Sequence, residues 1–431
     1  MISPYVCFLF LNSLQLTASW SLWNWKIPYF NDVEIPDVHD VKEAIFNNIL
    51  ATLDPYNKLP PDQVAVYHDL YTSLDLNAID PEAFMEVNEI IHYHGYPVQQ
   101  HNLTTADGYF ISIQRIPHGK NGPDVNITRK PVLIQHGLLS SSAAWVSNTA
   151  DKNLPYLLAD AGYDVWLGNV RGTLFGRKHA FFSPTDEEFW NYSFDEIAKY
   201  DIPAIIDTIL NVTGYNQIYY VGHSMGTTVM FALLSSQPKY NEIIKGMFAM
   251  APVAYVGNIR SPVRYLAYIT PGIRWILQWL GKGEFLSNQY VVKLGYDEAQ
   301  MNATRLPVFL HHTPAATSVQ NVVHLAQMVR SHKFQFHDFG YYENINRYKQ
   351  STPPEYNISK ITTPVVLFWS DNDYLADPTD VSKLALRLQN IVLKYRVPYD
   401  NFSHLDFVWS LDIKPLLYNK LLETMQKIWK D

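Results

Sequence analysis

Ile218-Tyr219-Tyr220-Val221-Gly222-His223-Ser224-Met225-Gly226-Thr227-Thr228 decides how the chain is read. β-branched and aromatic residues over 218–221 predict a short buried strand. Gly-x-Ser-x-Gly follows at once, and residues 227–234 predict a buried helix. A strand that turns this sharply into a helix crowds its own backbone, so Gly222 and Gly226 stand where no side chain fits. Ser224 then occupies the apex of a strained turn, with Oγ above the sheet. The Met225 amide, at the helix start, faces the place where an oxyanion would develop. The pentapeptide alone is a weak signal; its weight comes from the strand before it and the helix after it.

The same rhythm extends in both directions. Residues 131–135 predict a strand ending in His136-Gly137-Leu138-Leu139. A helix over 156–162, a strand over 163–167 and a long helix over 194–210 lead to the Ser224 strand. Another strand is predicted over 247–253. Alternating strands and helices at this spacing predict a mainly parallel central sheet flanked by helices. Upstream, 86–93 predict a helix, and 101–105 with 109–115 a hairpin around Asp107-Gly108. Residues 254–360 break the rhythm. They are mainly helical in pattern and aromatic over 265–285, and predict a cap inserted over the carboxyl edge of the sheet. The sheet resumes at 363–369, followed by a helix over 380–388, a last strand over 391–397 and a terminal helix over 414–429. The expected division is 1–18 signal peptide, 19–85 acidic extension or propeptide, 86–253 and 361–431 the two parts of the core, and 254–360 the cap.

The 431 residues carry a net charge of -8 with no basic patch, which argues against nucleic acid as a partner. Aromatic residues make up 14%, enough for aromatic-lined apolar surfaces, although ordinary cores use them equally well. The single cysteine, Cys7, lies in an apolar run that continues to Ala18 and reads as a signal peptide lacking the usual positive start. Asn12, Ser13 and Gln15 make that run a poor membrane span, so no transmembrane anchor is expected. Residues 19–85 carry two candidate amphipathic helices, over 39–53 and 60–74. Asn-x-Ser/Thr sites at Asn102, Asn126, Asn191, Asn211, Asn302, Asn357 and Asn401 are glycosylation candidates, Asn401 standing close to the expected active site.

Downstream of Ser224 come an acidic cluster after a late strand and His404 after the final strand. That order is expected of an α/β-hydrolase and of no other serine triad. His404 by itself reads as an ordinary loop histidine; with its partners it is the candidate general base and acid. Asp371, Asp373 and Asp377 compete to orient it. Asp377 precedes Pro378 in the pattern of a helix cap, Asp371 lies very near the strand end, and loop reach favours Asp373 without excluding Asp371. The oxyanion amides are expected from Met225 and from Leu138, where Gly137 permits close approach. His136 is expected to shape that loop, and His223 to pack or hydrogen-bond beside the nucleophile. His92 with His94, and His311 with His312, are weak metal spacings among 15 histidines. No metal or cofactor is required by this chemistry.

Several blocks together resemble the acid lipase family of animals, the gastric, lingual and lysosomal acid lipases and their insect relatives, from about Glu86 to Trp429. They include Gly95-Tyr96-Pro97, Gln135-His136-Gly137-Leu138-Leu139, 161–169, Ser193-Phe194-Asp195-Glu196, Gly222-His223-Ser224-Met225-Gly226, Thr317-Ser318-Val319-Gln320-Asn321, Leu375-Ala376-Asp377-Pro378 and His404-Leu405-Asp406-Phe407. The resemblance implies an α/β-hydrolase fold, Ser224 as nucleophile, Asp373 as the acid, His404 as the base, and oxyanion amides at Leu138 and Met225. It also implies hydrolysis of esters in neutral lipids, triacylglycerols or sterol esters, beneath a mobile cap. The expected partner is such a lipid at a micelle, droplet or membrane surface, and the expected location is secreted or lysosomal. Residues 290–307 indicate a shortened cap without cysteine, and residues 20–85 a longer start than the family's usual one. A lipid-binding protein without turnover, and an acyltransferase, are the competing readings on the same scaffold.

Overall fold

In a computed structural model of the chain, the described residues are 80–124, 128–261, 284–285 and 299–428. The signal peptide, both helices expected before residue 80, the Asn126 site and nearly all of the aromatic stretch 265–285 lie outside them.

The strands are β1 (Gln99–Thr104), β2 (Tyr109–Ile116), β3 (Pro131–Gln135), β4 (Asp164–Gly168), β5 (Lys178–His179), β6 (Ile218–His223), β7 (Ile244–Met250), β8 (Glu284–Phe285), β9 (Thr317–Ser318), β10 (Val365–Trp369) and β11 (Ile391–Arg396). One sheet runs in the order β1-β2-β4-β3-β6-β7-β10-β11, with β5 on β2; β8 and β9 pair apart from it. From β4 to β11 every neighbouring pair is parallel, while β1, β2 and β4 are antiparallel to one another in turn. β3, β4 and β6 are buried at every position, as strands covered on both faces must be. The covering helices include Leu154–Asp160, Ile202–Thr213, Met225–Ser236 and Asn419–Ile428, each packed against a strand.

Register places the chemistry. Gln135 pairs with Gly222, His223 with Met250, and Met250 with Phe368. Trp369 pairs in turn with Arg396. The carboxyl ends of β3, β6, β10 and β11 are therefore level, and the loops that follow them leave one edge of the sheet together.

Three expectations shift. The strand expected over 247–253 begins at Ile244 and ends at Met250, because Ala251 turns to φ 48° and Pro252 has no amide for the ladder. The helix expected over 194–210 runs on to Thr213, where Gly214 takes φ 73°, and widens to a π turn over Ile197–Asp201. Pro203 supplies no amide to the turn behind it, and a wider turn relieves the ring's clash with that carbonyl. The helix expected over 380–388 begins at Pro378 and ends at Ala385. Between β7 and β10 the described α-helices are Leu306–His312, Val319–Ser331 and Tyr341–Tyr348.

A buried carboxylate ties this inserted region to the sheet's own helices. Asp195, in the first turn of the helix that starts at Phe194, accepts from the His337 amide at 2.9 Å and the Tyr356 hydroxyl at 2.6 Å. Phe194 stacks on His324 at 4.0 Å. Burial pushes the Asp195 carboxyl up to about 7, against the opposing hydrogen bonds from Tyr356 and His337. The folded protein then binds a proton that the unfolded chain, with its carboxyl near 3.8, releases earlier. This group's contribution to stability is full below about pH 4, falls as pH rises, and is lost above about pH 7. Asp195→Asn is expected to shrink the stability difference between pH 4.5 and 7.5 measured by urea melts; an unchanged difference would refute this.

Candidate active site

The turn after β6 is built around two side chains that are missing. A Cβ on Gly222 would lie 2.9 Å from the Gly226 carbonyl carbon, and one on Gly226 would lie 2.5 Å from the Gln135 oxygen. The chain reverses between them at Ser224, whose φ is 53° and ψ -122°, a conformation that costs an L residue on the order of 1–3 kcal/mol. Bonds on each side hold it there. The Ser224 amide donates to Met250 O at 3.1 Å, and Ser224 O accepts from the Thr227 amide at 2.8 Å, which opens the helix. Gly226→Ala pushes a methyl into a backbone that cannot yield. It should cost about 3 kcal/mol or more and lower turnover by displacing the β3 loop, both read from urea melts and assay; a loss under about 1 kcal/mol would contradict this packing.

His404 Nε2 lies 2.8 Å from Ser224 Oγ. Its Nδ1 lies 3.0 and 2.9 Å from Asp373 Oδ1 and Oδ2. An ionised carboxylate only accepts, so the ring proton sits on Nδ1 and the Nε2 lone pair faces the serine. Burial alone would raise the Asp373 carboxyl, but the facing His404 and the Ala376 and Leu375 amides hold it below the usual carboxylate range. Those amides donate to Oδ1 at 2.8 and 2.9 Å. Ser224 is half-buried, while His404 and Asp373 are buried.

The other two aspartates turn elsewhere. Asp371 pairs with Arg396 at the surface. Asp377 accepts from the Thr379 amide at 2.8 Å, capping the helix Pro378–Ala385, and pairs with Arg260. Asp406 accepts from the Ser403 amide at 2.6 Å and so braces the turn that presents His404. The sequence alone assigns Asp406 no task; its place two residues after the histidine is the signal it carries.

Gly137 lies against Ser224: a Cβ there would be 3.0 Å from Ser224 Cβ. Leu138 follows it, and Leu139, at φ 57°, bends the loop back so that its carbonyl accepts from Ala315 at 2.8 Å. Among the described residues, the Leu138 amide donates to no backbone carbonyl. Met225 opens the helix, and its Sδ accepts from Asn321 Nδ2 at 3.3 Å. His136 Nδ1 lies 2.8 Å from Gly137 O, and His223 Nε2 lies 3.0 Å from His404 O. Carbonyls only accept, so both rings donate. Burial drives His136 down to about 4, and burial with the nearby His404 drives His223 down to about 3. Both stay neutral and serve as braces.

Among the described residues no group of three or more His, Cys, Asp or Glu side chains converges to hold a metal, and no helix is long and apolar enough to cross a membrane. Asn102, Asn191, Asn211, Asn357 and Asn401 are exposed. Asn302 is half-buried, and its Oδ1 accepts from Thr304.

A doubly wound, mostly parallel sheet with a serine turn after its central strand defines an α/β-hydrolase. Residues 130–411 match the family model of the α/β hydrolase fold, and residues 87–149 that of the partial α/β-hydrolase lipase region. The chain is 42% identical to the gastric triacylglycerol lipase of Rattus norvegicus, over 80% of this chain and 93% of that protein. It is 43% identical to the same lipase of Bos taurus, over 81% and 93%. It is 40% identical to the lysosomal acid lipase/cholesteryl ester hydrolase of Homo sapiens, over 82% and 93%. The chain belongs to this family of gastric and lysosomal acid lipases.

Proposed function

We propose that this chain cleaves the ester bonds of neutral lipids, triacylglycerols or sterol esters, through an acyl-enzyme on Ser224. As a member of its family it is a carboxylic ester hydrolase. The observation that carries the mechanism is the 2.8 Å approach of His404 Nε2 to Ser224 Oγ, with Asp373 behind the ring.

Ser224 Oγ attacks the ester carbonyl as His404 takes its proton, and Asp373 stabilises the imidazolium. The oxyanion is held by the Leu138 and Met225 amides, each worth about 3 kcal/mol in such sites. The alcohol leaves with the proton from His404. Water then gives a proton to His404 and attacks the acyl-enzyme, releasing the fatty acid and restoring Ser224.

Residues 254–360 serve as the cap over this edge, and substrate is drawn from a micelle, droplet or membrane surface. The chain acts after secretion or in the lysosome, with residues 1–18 as signal peptide and glycans at exposed sequons. The gastric and lysosomal relatives support that location.

The test is fatty acid release from purified protein across esters varied in acyl chain and in alcohol, glycerol against sterol, from pH 4 to 8. Release from long-chain glycerides or sterol esters is the expected result. Lipid binding with no release from any ester would favour a binding protein, and ester exchange to an added alcohol in place of hydrolysis would favour an acyltransferase.

A further inference from the structure

The turn that carries Asp373 sorts its backbone groups to opposite sides. The amides of Leu375 and Ala376 point at the carboxylate. In a trans peptide the carbonyl points opposite to the following N–H, so Tyr374 O faces away from the carboxylate. Tyr374 O, with the carbonyls of Asp371 and Asp373, needs donors from elsewhere.

One residue supplies nearly all of them. The Arg260 amide donates to Tyr374 O at 2.9 Å, joined by the Ser261 amide at 3.1 Å. Arg260 Nη2 donates to Asp371 O at 2.7 Å and to Asp373 O at 3.1 Å. Its Nε pairs with Asp377 Oδ2 at 2.7 Å, and its guanidinium lies 4.7 Å from the centre of the Tyr374 ring. Each of these contacts falls within residues 371–377.

We propose that Arg260 is a positioning residue for the reaction: its planar fork holds the outer face of the 371–377 turn, so that Asp373 meets His404 Nδ1 with both oxygens. The inference rests on Asp373 being the acid of the triad. Arg260 bonds to neither the Ser224 hydroxyl nor the His404 ring. Its side chain is 43% exposed, so its charge alone contributes little. Its effect comes from several acceptors converging on one rigid fork, which a lysine cannot reproduce.

The experiment compares R260A, R260K, D373N and the double variant R260A/D373N for kcat, KM and thermal midpoint. R260A is expected to lower kcat by roughly ten- to a hundredfold with KM within about twofold, since a positioning role acts on the reaction step through Asp373. R260K falls between. Ethylguanidinium added to R260A restores part of kcat, whereas tetramethylammonium at the same concentration does not. In the D373N background, R260A adds no further loss, because the group it positions is already gone.

Additive losses in the double variant, a kcat for R260A within twofold of the parent, or rescue by either cation alike each overturns the positioning role. If R260A does not fold, R260K in both backgrounds gives the same comparison. Near-parental activity in D373N overturns the assignment of Asp373 itself, and this inference with it. An impaired D373N with an unaffected R260A overturns only the role of Arg260.

Discussion

A Ser224→Ala protein is expected to lose ester turnover by about six orders of magnitude, the scale at which a serine nucleophile and its base act as one unit. The fold should survive. Among the described residues the Ser224 side chain bonds only to His404, while the bonds that shape the turn, to Met250 and from Thr227, use its backbone. Alanine at φ 53° carries the same backbone strain as serine, so the thermal midpoint should hardly move. Two measurements check this: fatty acid release, and covalent labelling by a serine-directed phosphonate. Labelling that persists in the alanine variant would place the nucleophile elsewhere.

Asp373→Asn is expected to lower kcat/KM by about four orders of magnitude, the scale for a triad base held in the wrong tautomer. The Leu375 and Ala376 amides both donate to Oδ1. An asparagine there keeps its carbonyl oxygen for those two donors and turns its NH2 toward His404. NH2 only donates, so Nδ1 must accept, and the ring proton moves to Nε2, facing Ser224. The residue keeps its shape and loses its base. Asp371→Asn is the control: its surface pair with Arg396 is of a kind that contributes little, and turnover should stay within about twofold. Equal losses in the two variants, or an Asp373→Asn protein within tenfold of the parent, would reassign the acid.

The elbow was legible because most of its causes are local. Gly222 and Gly226 stand two residues either side of Ser224; the crowding at Gly222 belongs to the strand and helix joined there, whereas Gly226 makes room for the Gln135 and His136 carbonyls at the end of β3. The alternation of apolar runs also located most elements to within a few residues. Where bounds moved, the causes were local too: Ala251 with Pro252 ended β7, and Pro203 widened a helix.

The pattern of residues along this chain determined a parallel sheet, a sharp turn at Ser224 and the order serine, acid, histidine. Spacing left open which of three aspartates within seven residues stands behind His404; the family resemblance implied Asp373 and the tertiary structure put it there, and the tertiary structure alone decided the brace from Asp406 and the grip of Arg260, 113 residues before Asp373. Periodicity and turn chemistry act over a few residues and leave their mark in composition. Convergence of side chains from separate loops depends on strand register, which levels the ends of β3, β6, β10 and β11, and on where each loop's amides and carbonyls find partners.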